Sequence, residues 1–221
     1  MADINAFLGR VLSGGLQRTN RYRCKLDLMS ATGESLRNLG ISEPGLREAV
    51  TLLREGLLCR TTMTPSRQLD TTSVNLAGGY TEAYAVSTSY NDLDCTFLCP
   101  LIEGTNQVLT LFHAWQNLIQ NRGKVNEAAD MVLTFPNEYR LQQGMRLEIF
   151  SGQAPREERN FMGPIRDTRP EITTAFDYFE VYPLTVSGTT VEWDMRDEMM
   201  EVAVTFSYTH WQQVKDGDLN L

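Results

Sequence analysis

The side chains that could do chemistry are few: two histidines, four cysteines and two short acidic clusters. His113 sits one position off the apolar stripe of a predicted helix, and His210 lies beside Trp211 at the end of a predicted strand. Neither has a carboxylate or thiol at a ligand-like spacing, and no histidine pair falls on one helical face. Cys95 and Cys99 stand one residue too far apart for a CxxC redox or zinc knuckle, while Cys24 and Cys59 stand alone. All four read as small core thiols rather than metal ligands or disulfides. Asp194, Asp197, Glu198 and Glu201, and the neighbours Glu157 and Glu158, bring carboxylates close enough for acid–base work or Ca2+. The first group falls between two predicted strands, however, and reads as a solvated turn. Gly14-Gly15 and Gly78-Gly79 lack the lysine and following helix of a phosphate loop, and no GxSxG elbow is present. Trp115, Trp193 and Trp211 lie in apolar patterns and read as core rather than stacking platforms. No cofactor and no catalytic site are expected.

The composition narrows the remaining classes. With 221 residues and 42% hydrophobic side chains, the chain can fill a core. A formal net charge of −8 argues against wrapping phosphate backbones, where Lys and Arg supply the affinity. No run approaches the roughly 20 apolar residues of a membrane helix, so no membrane anchor is expected. The opening Met1-Ala-Asp-Ile-Asn carries an acid where a signal peptide carries bases, which predicts cytosolic synthesis.

The elements are mostly strands. Residues 1–20 read as an N-terminal arm with a short amphipathic helix. Residues 21–28 alternate, with Tyr22, Cys24, Leu26 and Leu28 on one face. A helical insertion spans 29–56, with Ser42 as cap, Pro44 in the first turn and Gly56 at the stop. Residues 57–63 and 92–99 read as strands, and 105–120 as the best helix, with Val108, Leu111, Phe112, Trp115, Leu118 and Ile119 as its stripe. Two further strands are expected at 131–135 and 145–150, then a long charged loop over 151–173. The C-terminal part reads as a three-strand meander over 176–184, 186–194 and 200–211, where Met200, Val202, Val204, Phe206 and Tyr208 share a face with Trp193 nearby. The tail after Trp211 reads as frayed. One mainly β domain over 1–221 is expected: a β-barrel or two-sheet sandwich with a flanking helix.

Residues 66–90 do not fit a core. They predict a β-hairpin arm turning at Ala77-Gly78-Gly79, with Tyr84, Val86, Thr88 and Tyr90 on one face of its second strand. Ala83, Ala85, Ser87 and Ser89 occupy the other. An arm with so little apolar surface is either solvated or covered by another chain. If another chain covers it, Leu69, Thr72, Val74, Leu76, Tyr80, Tyr84, Val86 and Tyr90 are the candidate subunit-interface residues.

Several segments in this order resemble the tail tube proteins of contractile-tailed bacteriophages and their type VI secretion relatives. Arg18-Thr-Asn-Arg-Tyr22 resembles the family's opening strand, with Thr19 and Tyr22 replacing Pro and Phe. Residues 59–65 resemble its lead into the hairpin, and Phe112-His-Ala-Trp115 its "F-x-x-W" helix. Val181-Tyr-Pro-Leu-Thr-Val186, Val191-Glu-Trp-Asp194 and Val204-Thr-Phe-Ser-Tyr-Thr-His-Trp211 resemble its closing strands.

The resemblance implies a homohexameric ring. Strands from six subunits would join into an inner barrel, rings would stack inside a sheath on a baseplate, and DNA would pass through the lumen without specific binding. The protein would then be a virion component. Small residues Thr72, Ala83, Ser87 and Ser89 would line the channel, with Tyr84 and Val86 facing protein. The helical insertion and the charged loop exceed what a plain tube subunit needs, so a baseplate tube-initiator of the same fold is the alternative. A type VI-like carrier ring and a monomeric binding module stand further off.

Overall fold

The alternation that begins at Tyr22 becomes the first strand of a two-sheet structure, with Cys24 and Leu26 buried. The computed structural model describes residues 21–39, 44–75, 79–102, 104–120, 133–150, 157–160, 163–166, 172–189 and 199–214. In chain order the elements begin with β1 (Tyr22–Leu26), a 3-10 turn (Leu28–Ser30), α1 (Glu34–Leu39) and α2 (Pro44–Glu55). Next come β2 (Cys59–Thr62), β3 (Gln68–Asn75), β4 (Thr81–Ser89), β5 (Leu93–Leu98) and α3 (Gln107–Ile119). After α4 (Pro136–Tyr139) follow β6 (Met145–Phe150), β7 (Glu157–Asn160) and β8 (Gly163–Arg166). The last four are β9 (Ile172–Phe179), β10 (Tyr182–Val186), β11 (Glu201–Ser207) and β12 (His210–Gln213).

One sheet has the order β1-β6-β9-β12 and the other β10-β11-β5-β2, every neighbouring pair being antiparallel. The fold is mainly β, and the sheets do not close into a barrel. Between them lies a core built from both sheets and the helices. Its aromatic centre is Phe97, Phe112, Trp115 and Phe206, with ring centroids 5.1 to 6.4 Å apart. The buried stripe of α3, Val108, Leu111, Phe112 and Trp115, packs here, and the Trp115 indole donates to the Tyr139 carbonyl at 2.8 Å. Asn106 caps α3 by accepting from the Leu109 N–H at 3.1 Å. Helix α2 stops where the sequence predicts. Gly56 has φ 72°, and the Gly56 and Leu57 N–H groups bond back to Leu53 and Leu52 in a Schellman motif.

Four expected strands differ in the structure, the one expected at 186–194 being absent from its described part beyond Val186, which ends β10. The C-terminal segments 176–184 and 200–211 are not single strands. Each is broken and passes from one sheet to the other, β9 to β10 at Glu180 and β11 to β12 at Tyr208-Thr209. The two breaks lie side by side. Glu180 is a non-glycine residue at φ 56°, and Thr209 donates its N–H to Phe179 and its hydroxyl to Glu180, at 3.0 and 2.6 Å. The paired ribbon thus bends as a unit to make the sandwich corner. The strand expected at 131–135 is absent from its described part, 133–135. Thr134 instead donates its N–H to Ile119 and its hydroxyl to Leu118, tying the chain to the open carbonyls at the end of α3. The 151–173 segment is not a plain loop, because β7 and β8 pair within it and β9 begins at Ile172. The N-terminal arm, Ser42, Trp193, the segment 190–198 and the tail 215–221 lie outside the described residues.

The outer face of the first sheet carries charge. Glu148 and Asp177 are nearly buried, and each is paired: Lys25 with Glu148 at 2.5 Å, and Arg146 with Asp177 through two bonds of 2.6 and 2.9 Å. Gln143 adds a third donor to Asp177 at 3.1 Å.

Candidate functional site

Among the described residues, strands β3 and β4 pair only with each other, and almost every side chain on both is exposed. Leu69, Tyr84, Val86 and, just before β4, Tyr80 are 58, 46, 68 and 77% exposed. The ribbon pairs Gln68 with Ser89 at its foot and Asn75 with Thr81 near its tip. A bulge interrupts it: Asp70 faces Ser87 and Thr71 faces Ala85, which leaves Val86 as the extra residue. Asp70 pins that bulge by accepting from the Ser87 and Ser89 hydroxyls at 2.9 and 3.3 Å.

The bulge reassigns the hairpin's faces. One face carries Leu69, Thr71, Ser73 and Asn75 with their partners Thr88, Ala85, Ala83 and Thr81. The other carries Asp70, Thr72 and Val74 with Ser87, Tyr84 and Glu82. Strict alternation along β4 would group Thr88 with Tyr84 and Ser87 with Ala83. The extra residue at Val86 reverses the parity beyond it, so Thr72, Ser87 and Ser89 share the Tyr84 face instead. There Tyr84 donates to Glu82 at 2.6 Å, which raises its phenol pKa.

The foot of the hairpin is held firmly. Arg67, just before β3, lies over the rings of Trp211 and Tyr90 at 4.8 and 5.9 Å. The Trp211 indole donates to the Ser66 carbonyl at 3.2 Å. Tyr90 contacts Tyr208 at 6.0 Å, and Tyr208 meets the buried Tyr178 at 5.1 Å. Burial, with Asp92 and Tyr90 alongside, pushes the Tyr208 phenol up.

Residues 17–214 match the phage tail tube protein family. The chain belongs to that family. It is a family of structural tube proteins rather than enzymes, and membership makes the chain a tail component. No curated protein sequence matches it. Among solved structures, it is similar to a chain of the PVC sheath-tube complex of an extracellular contractile injection system in the extended state. That match has 9% identity and TM-score 0.49, covering 93% of this chain and 96% of that one. It is also similar to a chain of the anti-feeding prophage tube-terminating cap, with 11% identity, TM-score 0.48 and coverages of 90 and 91%. Hcp1 from Salmonella typhimurium gives 11% identity, TM-score 0.39 and coverages of 87 and 85%.

In this family member the expected interface residues fall at different places on the arm. Leu69 lies on the face with small residues, Thr72, Val74 and Tyr84 on the other, Val86 at the bulge, Tyr80 before β4 and Tyr90 at the foot. Leu76 lies outside the described residues. The sequence reading missed Asp70 and Arg67. Asp70 had a signal, two serines spaced to reach one carboxylate across a ribbon. Arg67 had none, because its partners come from β12 and the end of β4. Of the residues that suggested chemistry, His113 is exposed on α3 and His210 stacks on Phe179 at 4.5 Å. Glu201 pairs with Arg60, while Asp194, Asp197 and Glu198 lie outside the described residues.

Proposed function

We propose that this chain is the ring-forming subunit of a contractile phage tail tube. Six copies close into a ring, rings stack inside a sheath above a baseplate, and DNA passes through the channel during ejection without being specifically bound. The observation that carries this reading is the hairpin, ordered by its own pairing and a clamped foot yet uncovered on both faces. A two-stranded ribbon is at best marginal alone in water, and each outer edge presents unpaired backbone groups. Pairing those edges with neighbouring hairpins in a closed ring satisfies them all.

Leu69, Thr72, Val74, Leu76, Tyr80, Tyr84, Val86 and Tyr90 then form the interface. The face with Thr71, Ser73, Ala83 and Ala85 has no charged group, with Leu69 as its large side chain towards the foot, and lines the channel, where phosphate finds no cation to hold it. The Tyr84 face, with Val74 and the internally bonded Asp70 and Glu82, packs on protein.

The test introduces Tyr84→Asp and Val86→Pro separately and measures circular dichroism, thermal unfolding and particle mass. Both variants are expected to stay folded and lose the ring. Rings of unchanged mass in both would contradict the hairpin as the interface. Wild-type rings that never stack unless another tube protein is added would move the assignment to the baseplate initiator.

A further inference from the structure

Cys24, Cys59 and Cys95 look unrelated in sequence, but the fold brings them together. Cys24 comes from β1 in one sheet, and Cys59 and Cys95 from β2 and β5 in the other. All three are free thiols, Cys24 and Cys95 buried and Cys59 half-buried, and their Sγ atoms lie within 4.8 Å of one another. They meet at the seam where the edge strands β1 and β2 approach without pairing, a seam also bridged by the Tyr22 hydroxyl donating to the Arg60 carbonyl.

We propose that these three cysteines form a thiolate site for one thiophilic divalent cation of the Zn2+ class, tying the two sheets together at their open seam. A Zn–S bond of about 2.3 Å sets the ligand sulfurs of a tetrahedral ion about 3.8 Å apart. The triangle therefore reaches binding geometry through side-chain rotations that move the sulfurs by about 1 Å or less. A disulfide uses two sulfurs and leaves the third unexplained; a metal uses all three.

Two further observations favour a charged centre here. The Tyr178 side chain is fully buried, and its hydroxyl has no hydrogen-bond partner among the described residues. It lies within electrostatic reach of both Cys24 and Cys95. The Thr62 hydroxyl sits 3.2 Å from the Cys95 sulfur. Binding forms three metal–sulfur bonds, releases three thiol protons to solvent and needs no oxidant.

The full chain, purified with reductant and stripped by chelator, should be titrated anaerobically with Co2+. The expected result is sulfur-to-cobalt charge-transfer absorption saturating at one equivalent, bleached by Zn2+, with a higher unfolding temperature in Zn2+. The signal should vanish in Cys59→Ser, the most exposed and most tolerant of the three positions, and persist in Cys99→Ser. A natively folded wild-type chain with no charge-transfer band would overturn the proposal, with no variant needed. So would a full signal in Cys59→Ser, or a disulfide within the triad in protein purified without reductant.

Discussion

Asp177 shows how single residues set stability here. Its carboxylate is nearly buried and held by Arg146 and Gln143, so Arg146→Met would leave it facing only a neutral amide. A loss of about 3 kcal/mol is expected by chemical denaturation. The double variant Arg146→Met with Asp177→Leu should recover most of it. If the double variant is as unstable as the single, the cost lies in lost packing rather than a stranded charge. At the sandwich corner, the Thr209 hydroxyl is the main cause holding the Glu180 carboxyl below its usual range, with Arg140 assisting. A depressed folded pKa contributes stability above the unfolded pKa, and that contribution is lost as pH falls through the folded one. The Glu180 side chain is about half exposed, so solvent screening keeps the effect on stability small. The sharper readout is its NMR titration midpoint, which should rise in Thr209→Val. An unmoved midpoint would assign the shift to Arg140 instead.

At the scale of elements, the hairpin is separable from the body. Among the described residues its strands pair with nothing else, and their ends meet at the Gln68–Ser89 pair. Replacing residues 68–89 by a short turn is expected to leave a folded body whose thermal midpoint barely changes, and to abolish assembly. A collapsed midpoint would show that the arm supports the core. Periodicity made most of this scale legible, because β1, β5, α2 and α3 each bury one face of a regular pattern. The C-terminal segments misled for a physical reason. Alternation continues through Phe206 and Tyr208 even though the chain changes sheets there, and nothing in residue type marks Glu180 as left-handed. The β4 bulge was hidden likewise, since Val86 suits a regular strand as well as a bulged one. Cys24, Cys59 and Cys95 are core thiols as their patterns predict, but their meeting was hidden, because spacing along the chain is blind to two sheets meeting at a seam.

At the scale of the whole molecule, the sandwich and its helices form a body with a packed core, and the hairpin is what that body presents. The foot clamp of Arg67, Tyr90 and Trp211 joins the two. Arg67→Ala should leave the body's thermal midpoint nearly unchanged but raise the protein concentration at which rings form, as measured by mass photometry. Assembly at an unchanged concentration would mean that the arm needs no fixed foot. The most direct test of the central claim is negative-stain microscopy of the purified wild-type chain over a wide concentration range. Six-fold rings that stack into tubes as concentration rises are the expected result. Monodisperse monomers at every concentration would contradict it.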